Sequence, residues 1–529
     1  MTHRNGGAAV VDALLAHGVD AVFGIPGTHN LEIYRHLETG LRAGVVRVIT
    51  PRHEQGAGYA AEAYARVSGR PGVVLTTSGP GLTNAITAAA TAYAESQPML
   101  VLSPGMPTGT EGRDLGQLHE AKNTSAAMNA LVAWSRRVRS PDEAADAVSD
   151  AFAGFAGRRP RPVHIEIPID VLTQPWSGQV RTSSAPAAPI ADPRAVLRAG
   201  EVLAAAQRPL IIAGGGAVDA HAEVTALAEA LGAPVATTVN GKGVVAEAHR
   251  LSVGASVRLR ALQRAAADSD ALLVIGSELG DSDLWDGEIR GRTVIRCDIE
   301  VGQLDKNCPA DHPLLGDAAA TVAALLEAVR ERRAGDGEER AAALRAACRQ
   351  EAARDAGIHE SINTAVRAAL PARGVLTGDS SQVTYFGSVH FFDMPAPRRF
   401  CYSPGFATLG YGLPAAIGAS VARPGEPVAT VLGDGAVMFS VQELMTLIEL
   451  GLPVPVVVVD NGGYREIEDQ ERTRGIAPLG VRLRTPDFAA LAVAMGAYGV
   501  RTTSTADLTD LVGAALDADR PTVIHLDIR

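Results

Sequence analysis

Residues 428–464 constrain this chain most, because two apolar runs flank one amphipathic run and each apolar run ends at an aspartate or asparagine set among glycines. Residues 428–432 read as a buried strand, Gly433-Asp434-Gly435 as a tight turn, 440–450 as an amphipathic helix and 454–459 as a second buried strand, followed at once by Asp460-Asn461-Gly462-Gly463. Strand, helix and strand in that order cross over right-handedly, so the strands are parallel and their carboxyl ends open on one edge of the sheet. Asp434 and Asn461 then converge on one ion. Oxygen ligands with a single formal charge suit a hard cation such as Mg²⁺ that keeps positions open for phosphate oxygens, and the glycines let backbone amides approach those oxygens. Asp-Gly and Asn-Gly are also ordinary turn dipeptides. Their pairing in this frame is what points to a metal and phosphate site.

At 529 residues the chain exceeds a single core and suggests about three domains. Its 47% hydrophobic content, rich in alanine and glycine, fits an α/β protein of three doubly wound parallel-sheet domains. A net charge of −11 argues against nucleic acid and for small-molecule partners. Cys297, Cys308, Cys348 and Cys401 lack metal-like or redox-like spacing and read as packing residues in a reducing cytoplasm. Asp12 and His17 interrupt the N-terminal apolar run and no run approaches membrane-spanning length, so the expectation is a soluble cytoplasmic protein with no membrane partner.

The first domain, 1–170, alternates a helix over 5–17, a strand at 21–24, a helix from 31, and strands at 45–49, 73–76, 99–102 and 163–167. The Pro-, Ser- and Ala-rich stretch 174–193 reads as a linker. The second domain, 190–330, opens with a helix over 193–206 and a strand at 209–213 and includes strands at 271–275 and 294–298. The charged stretch 330–355 reads as a solvent-facing helix and linker, and the third domain, 356–529, holds the metal motif.

The stretch from Gly433 to Gly463 resembles the signature of thiamine diphosphate enzymes, and the layout resembles their 2-oxo acid decarboxylase and acetolactate synthase group over nearly the whole chain. The resemblance implies pyrimidine-binding, central and diphosphate-binding domains, with thiamine diphosphate and Mg²⁺ as cofactors. It implies that Asp434, Asn461 and the Gly463 carbonyl hold the metal, with Gly433, Gly435, Ala436 and Tyr464 as cofactor contacts. The family often has Asn-Asn where this chain has Asp460-Asn461, and the ligand is the second of the two. Pro51-Arg52-His53-Glu54-Gln55-Gly56 closes a strand, opens an alanine-rich helix and matches the activating-glutamate motif. There Glu54 would protonate the aminopyrimidine and make its exocyclic amine a base. An acidic residue in a first helical turn is also favoured by the helix dipole. The run from Thr77 to Asn84 resembles the next family loop, which faces the cofactor. Leu409 falls where the family places the apolar residue beneath the bent cofactor, although core packing explains it too. Ser380, Ser381 and Gln382 follow a strand and reach the diphosphate. The family sets the glutamate and the diphosphate site on different subunits, which implies a homodimer or homotetramer with active sites at the interface.

Members of the group release carbon dioxide from a 2-oxo acid and differ in whether the remaining carbon meets a proton, a second 2-oxo acid or a flavin. Ala133-Trp134-Ser135 leaves no lysine where acetolactate synthases carry one. Gly214-Gly215-Gly216 lacks dinucleotide spacing and reads as a tight turn, and Gly276-Ser277-Glu278-Leu279-Gly280-Asp281 departs from the arginine-containing pattern of flavin-holding relatives, so FAD is not expected. Phe23-Gly24-Ile25-Pro26-Gly27-Thr28-His29, Leu118-His119-Glu120 and Gly475-Ile476-Ala477-Pro478-Leu479-Gly480-Val481 resemble the 5-guanidino-2-oxopentanoate decarboxylases. Thr28, His29 and His119 are then catalytic candidates, since a hydroxyl with an imidazole binds a carboxylate and supplies a proton; for His29 the alternative is a loop histidine capping the next helix.

A guanidinium substrate needs carboxylates. Arg465 with Asp469 and Glu468 with Arg472 are helical neighbours that pair on a solvated face, which leaves Glu466 as the preferred guanidinium partner and Glu120 as the second. The favoured reading is non-oxidative decarboxylation of 5-guanidino-2-oxopentanoate to 4-guanidinobutanal. An acetolactate synthase-like carboligase acting on pyruvate, a flavin-dependent oxidase and, from another class, a non-catalytic binding subunit stand as alternatives.

Overall fold

The structure, a computed structural model, describes residues 4–330 and 335–529. Apolar runs alternate with alanine-rich helices to give three six-stranded sheets in which every pairing is parallel. The first contains β1 (Ala21–Gly24), β2 (Arg47–Ile49), β3 (Gly72–Leu75), β4 (Met99–Gly105), β5 (Ser135–Arg137) and β6 (Val163–Pro168) in the order β2-β1-β3-β4-β6-β5. The second contains β7 (Pro209–Ala213), β8 (Val235–Thr237), β9 (Ser252–Ala255), β10 (Ala271–Ile275), β11 (Val294–Asp298) and β12 (His312–Leu315) in the order β12-β11-β10-β7-β8-β9. The third contains β13 (Val375–Gly378), β14 (Phe400–Cys401), β15 (Val428–Gly433), β16 (Pro455–Asp460), β17 (Tyr498–Thr502) and β18 (Thr522–Asp527) in the order β14-β13-β15-β16-β18-β17. Helices cover these sheets, which is why the central strands read as unbroken apolar runs.

Small residues fuse the outer two domains. Helix Glu54–Ser68 lies against helix Gly412–Ala422, and a Cβ on Gly418 would stand 2.0 Å from the Ala60 carbonyl oxygen, so glycine is what permits this backbone approach. One apolar cluster accordingly joins Tyr59, Ala60 and Ala63 to Tyr411, Ala415 and Ile417. The main cluster of the central domain, by contrast, draws only on residues 191–341.

The helix expected over 440–450 arrives in two pieces, a 3₁₀ turn at Val441–Glu443 and helix Leu444–Glu449, a tightening common at helix starts. The charged stretch is not wholly solvent-facing: helix Gly337–Ala356 buries Ala341, Cys348, Ala352 and Ala356 along one face, while residues 331–334 lie outside the described residues. All four cysteines are buried, and burial pushes the thiols of Cys297, Cys348 and Cys401 up to about 12. Among the described residues no helix is long and apolar enough to cross a membrane.

One buried ion pair ties the central domain to the last. Lys242 Nζ donates to both Glu247 oxygens at 2.8 Å and to the Val389 carbonyl at 2.9 Å, while Glu247 also accepts the Met394 amide at 2.6 Å. Removing one partner of such a pair strands a charge, so Lys242→Met should lower stability by about 3–5 kcal/mol in denaturant titrations. An unchanged unfolding midpoint would show that the pair contributes nothing net.

Candidate functional site

In the third sheet β13, β15 and β16 are neighbours, and their carboxyl ends deliver Asp379, Asp434 and Asn461 to one edge. The Asn461 carboxamide oxygen lies 3.2 Å from Asp434 Oδ1 and 3.1 Å from the Gly463 carbonyl oxygen. Three oxygens so placed repel one another unless the amide turns over or a cation joins them, and one carboxylate with two neutral oxygens is the donor set of a hard divalent ion. Burial, and then the nearby Asp460, push the Asp434 carboxyl up to about 6. Asp460 stands beside the triad, its Oδ1 sharing the Gly462 amide with Asp434 at 3.1 Å, while its Oδ2 turns inward, accepting from Thr485 Oγ1 at 2.9 Å and contacting His525 Nε2 at 3.0 Å. That inward pairing accounts for an aspartate at this position.

The loop geometry forms a cradle. Gly463 has φ +137°, and a Cβ there would meet the Val481 carbonyl oxygen at 2.2 Å. A Cβ on Gly435 would meet the Tyr464 ring at 2.7 Å, and one on Gly433 would meet Ser381 Cβ at 3.0 Å. Ser380, Ser381, Gln382, Leu409, Gly433, Asp434, Gly435, Ala436, Asn461, Gly463, Tyr464 and Glu466 all line one cavity of about 640 Å³. The donor set and the cradle are of a kind that could hold a metal-bound diphosphate.

The amino-terminal candidates gather elsewhere, at the carboxyl ends of the neighbouring strands β2, β1 and β3. Glu54 opens helix Glu54–Ser68 behind an N-cap His53, and its Oε2 accepts Asn84 Nδ2 at 3.0 Å. His29 Nδ1 lies 2.6 Å from Ser78 Oγ, which is 3.5 Å from His119 Nδ1, and the two imidazole rings meet edge to face at 5.3 Å. Burial, and then His119, lower the pKa of His29. His29 does not cap the following helix, where Asn30 holds the N-cap position. His119 adopts a left-handed φ of +62°, and Thr28 is exposed beside this group. Thr77 Oγ1 is buried without a hydrogen-bond partner, and a Cβ on Gly27 would stand 2.7 Å from Thr77 Cβ. None of these residues lines the cavity described above, which is built from the central and last domains.

Of the two carboxylates expected to meet a guanidinium, Glu466 lies in the cavity. It accepts amide hydrogens from Gln382 at 3.0 Å and Gln470 at 3.0 Å, and among the described residues no lysine or arginine pairs with it. Its neighbours pair as expected, Arg465 with Asp469 at 3.4 Å and Glu468 with Arg472 at 2.6 Å; Glu468 also takes Arg482, and the two guanidiniums hold its carboxyl down at about 2. Glu120 lies outside that cavity. Its oxygens accept the Leu115 and Gln117 amides of its own loop, bonds that lower its pKa.

Sequence reasoning also missed cavity residues. Asp281, Asp283, Asp286, Trp285 and Tyr385 complete the wall, and burial pushes the Asp283 carboxyl up to about 7. Arg258 lines it too, but its Nε donates to His390 at 2.7 Å and its guanidinium stacks 4.5 Å over Trp285. Asp379, fully buried, accepts the Gly410 amide at 3.1 Å and the Gly412 amide at 3.0 Å, which pins the loop carrying Leu409. The triplet 214–216 turns tightly, as expected: the Ala217 amide donates to the Gly214 carbonyl at 3.0 Å as the chain enters a 3₁₀ helix, Gly215–Ala220.

Comparison with known proteins agrees with this geometry. Family models match as the N-terminal TPP binding domain of thiamine pyrophosphate enzymes at residues 4–129, their central domain at 196–325 and their C-terminal TPP binding domain at 379–526. The chain belongs to the thiamine pyrophosphate enzyme family. It is 39% identical to the probable 2-ketoarginine decarboxylase AruI of Pseudomonas aeruginosa, over 96% of this chain and 90% of that protein. It is also 34% identical to the acetolactate synthase large subunit of Parasynechococcus marenigrum, over 99% and 88%, and 31% identical to the acetolactate synthase isozyme 3 large subunit of Escherichia coli, over 98% and 93%.

Proposed function

We propose that this protein is a thiamine diphosphate- and Mg²⁺-dependent carboxy-lyase that decarboxylates 5-guanidino-2-oxopentanoate to 4-guanidinobutanal without oxidation. The observation that carries the substrate choice is the acidic cavity: Glu466 has no cationic partner among the described residues, and Asp281, Asp283 and Asp286 share the wall with it. The arginines in that wall are engaged, Arg258 with His390 and Asp355 and Arg465 with Asp469. A site of this charge favours a cationic side chain. The similarity to a probable 2-ketoarginine decarboxylase supports the same choice.

When bound, the thiazolium supplies the electron sink that lets carbon dioxide leave. Asp434, Asn461 and the Gly463 carbonyl would hold Mg²⁺, and Ser380, Ser381 and the amides of the Gly433 to Ala436 turn would hold the diphosphate. Leu409, which lines the same cavity, would pack against the cofactor, and Glu54 would hold the proton that activates its aminopyrimidine. His29 and His119, linked through Ser78, stand ready to bind the substrate carboxylate and return a proton, with Thr28 beside them. Because Glu54 and the metal triad occupy different places in one chain, a second copy completes each site, in a homodimer or a homotetramer of such pairs. The cytoplasm is the proposed compartment, as four buried, unpaired cysteines suit reducing conditions.

The test is carbon dioxide release with thiamine diphosphate and Mg²⁺ on 5-guanidino-2-oxopentanoate, pyruvate and benzoylformate, with each product identified. Preference for the guanidino acid and an aldehyde product supports the proposal. Preference for pyruvate with an acetohydroxy acid product would make the protein a carboligase, in line with its acetolactate synthase relatives. Within the proposal, Glu466→Gln should reduce kcat/KM for the guanidino acid by roughly 10- to 100-fold, the worth of a charge-assisted bond, and leave an uncharged 2-oxo acid nearly unaffected. Equal loss on both substrates would remove Glu466 from the recognition site.

A further inference from the structure

Glu443 belongs to the last domain, 390 residues along the chain from His53, and its side chain is fully buried. Its Oε1 accepts the Arg52 amide at 3.1 Å and the His53 amide at 3.0 Å, and its Oε2 accepts the Arg52 amide at 3.1 Å and the Thr446 hydroxyl at 2.7 Å. Both amides belong to the turn that delivers Glu54, the first residue of its helix. Gly56 leaves room for this carboxylate, because a Cβ there would stand 2.5 Å from Glu443 Oε1. A second contact, Arg52 to Glu449, ties the same turn to the same segment. The bound carboxylate therefore fixes the backbone on which the activating glutamate is mounted, from a domain other than its own.

We propose that Glu443 is a positioning residue for Glu54: it holds the 52–53 turn so that the Glu54 carboxyl meets the aminopyrimidine in register. The inference rests on the reading of Glu54 as the activating acid. A carboxylate buried for fold alone would satisfy stray amides anywhere in the interface; this one takes the two amides immediately before the functional residue, and the Gly56 gap admits it. Displacing an acid from its partner by an ångström costs about 100-fold in rate.

The experiment uses the full chain loaded with saturating thiamine diphosphate and Mg²⁺. Glu443→Ala should lower kcat roughly 10- to 100-fold with KM changed little, and should diminish the near-ultraviolet circular-dichroism signal of the bound aminopyrimidine before any substrate is added. Glu443→Gln keeps one oxygen for the two amides and an NH₂ for the Thr446 hydroxyl, so it should restore most of both readouts. Gly56→Ala, which drives a methyl into the carboxylate, should reproduce the alanine phenotype and stands in if Glu443→Ala does not fold. A normal dichroism signal and a normal kcat in either folded variant would overturn the inference. Glu54→Gln in parallel separates the two failures: if it leaves the signal intact, the reading of Glu54 falls, and if it alone removes the signal, only the role of Glu443 falls.

Discussion

Glu54→Gln should lower turnover by about two to four orders of magnitude, the usual worth of a positioned general acid, while the protein still folds and still takes up thiamine diphosphate. Glutamine fills the same volume and can keep the contact with Asn84, so the substitution removes the exchangeable proton and little else. Helix Glu54–Ser68 should persist, since its N-cap is His53 and twelve of its residues, from Gly56 to Val67, are buried. Steady-state carbon dioxide release at saturating cofactor measures the effect. A variant within about threefold of the parent would mean that Glu54 is only a favourable charge at a helix start.

Asp434→Ala should act on the other half of the chemistry and on a different quantity. It removes the one carboxylate from the oxygen triad of Asp434, Asn461 and Gly463, leaving two neutral oxygens for the metal. Cofactor affinity should fall by at least about 100-fold, given that even indirect supports of a metal ligand are worth 10- to 100-fold. Titration of the protein with thiamine diphosphate at fixed Mg²⁺, followed by calorimetry, reads this directly. Unchanged affinity would remove Asp434 from the metal site. Activity recovered at very high cofactor concentration would agree with the assignment.

Much of the fold was legible in the sequence where strands are buried on both faces. The strands at 21–24, 209–213, 271–275 and 294–298 occur with the bounds that their apolar runs suggest. Two edge strands were not legible: β5 reads Ser-Arg-Arg and β14 has two residues, so neither carries a period. The candidate metal loops stood out because glycines adjoin Asp434 and Asn461 in sequence. Asp379, Asp283 and Glu443 did not, because each acts on residues remote in the chain. Glu443 and His53 are 390 positions apart, and no local pattern records that contact. Glu120 is similar, since nothing in the sequence signals that its carboxylate accepts amides of its own loop.

The close seam between helices Glu54–Ser68 and Gly412–Ala422 has a consequence for how this chain tolerates change. One helix begins at the acid that would serve the pyrimidine, and the other begins directly after the loop bearing Leu409. Their shared cluster mixes residues from both ends of the chain, while the main cluster of the central domain stands apart. In mechanical terms the first and last domains are one body, and the central domain is an insert threaded between its two parts. A change of volume at Ala60 or Gly418 therefore tilts both elements together, so variants in this seam should be inherited as compensating pairs.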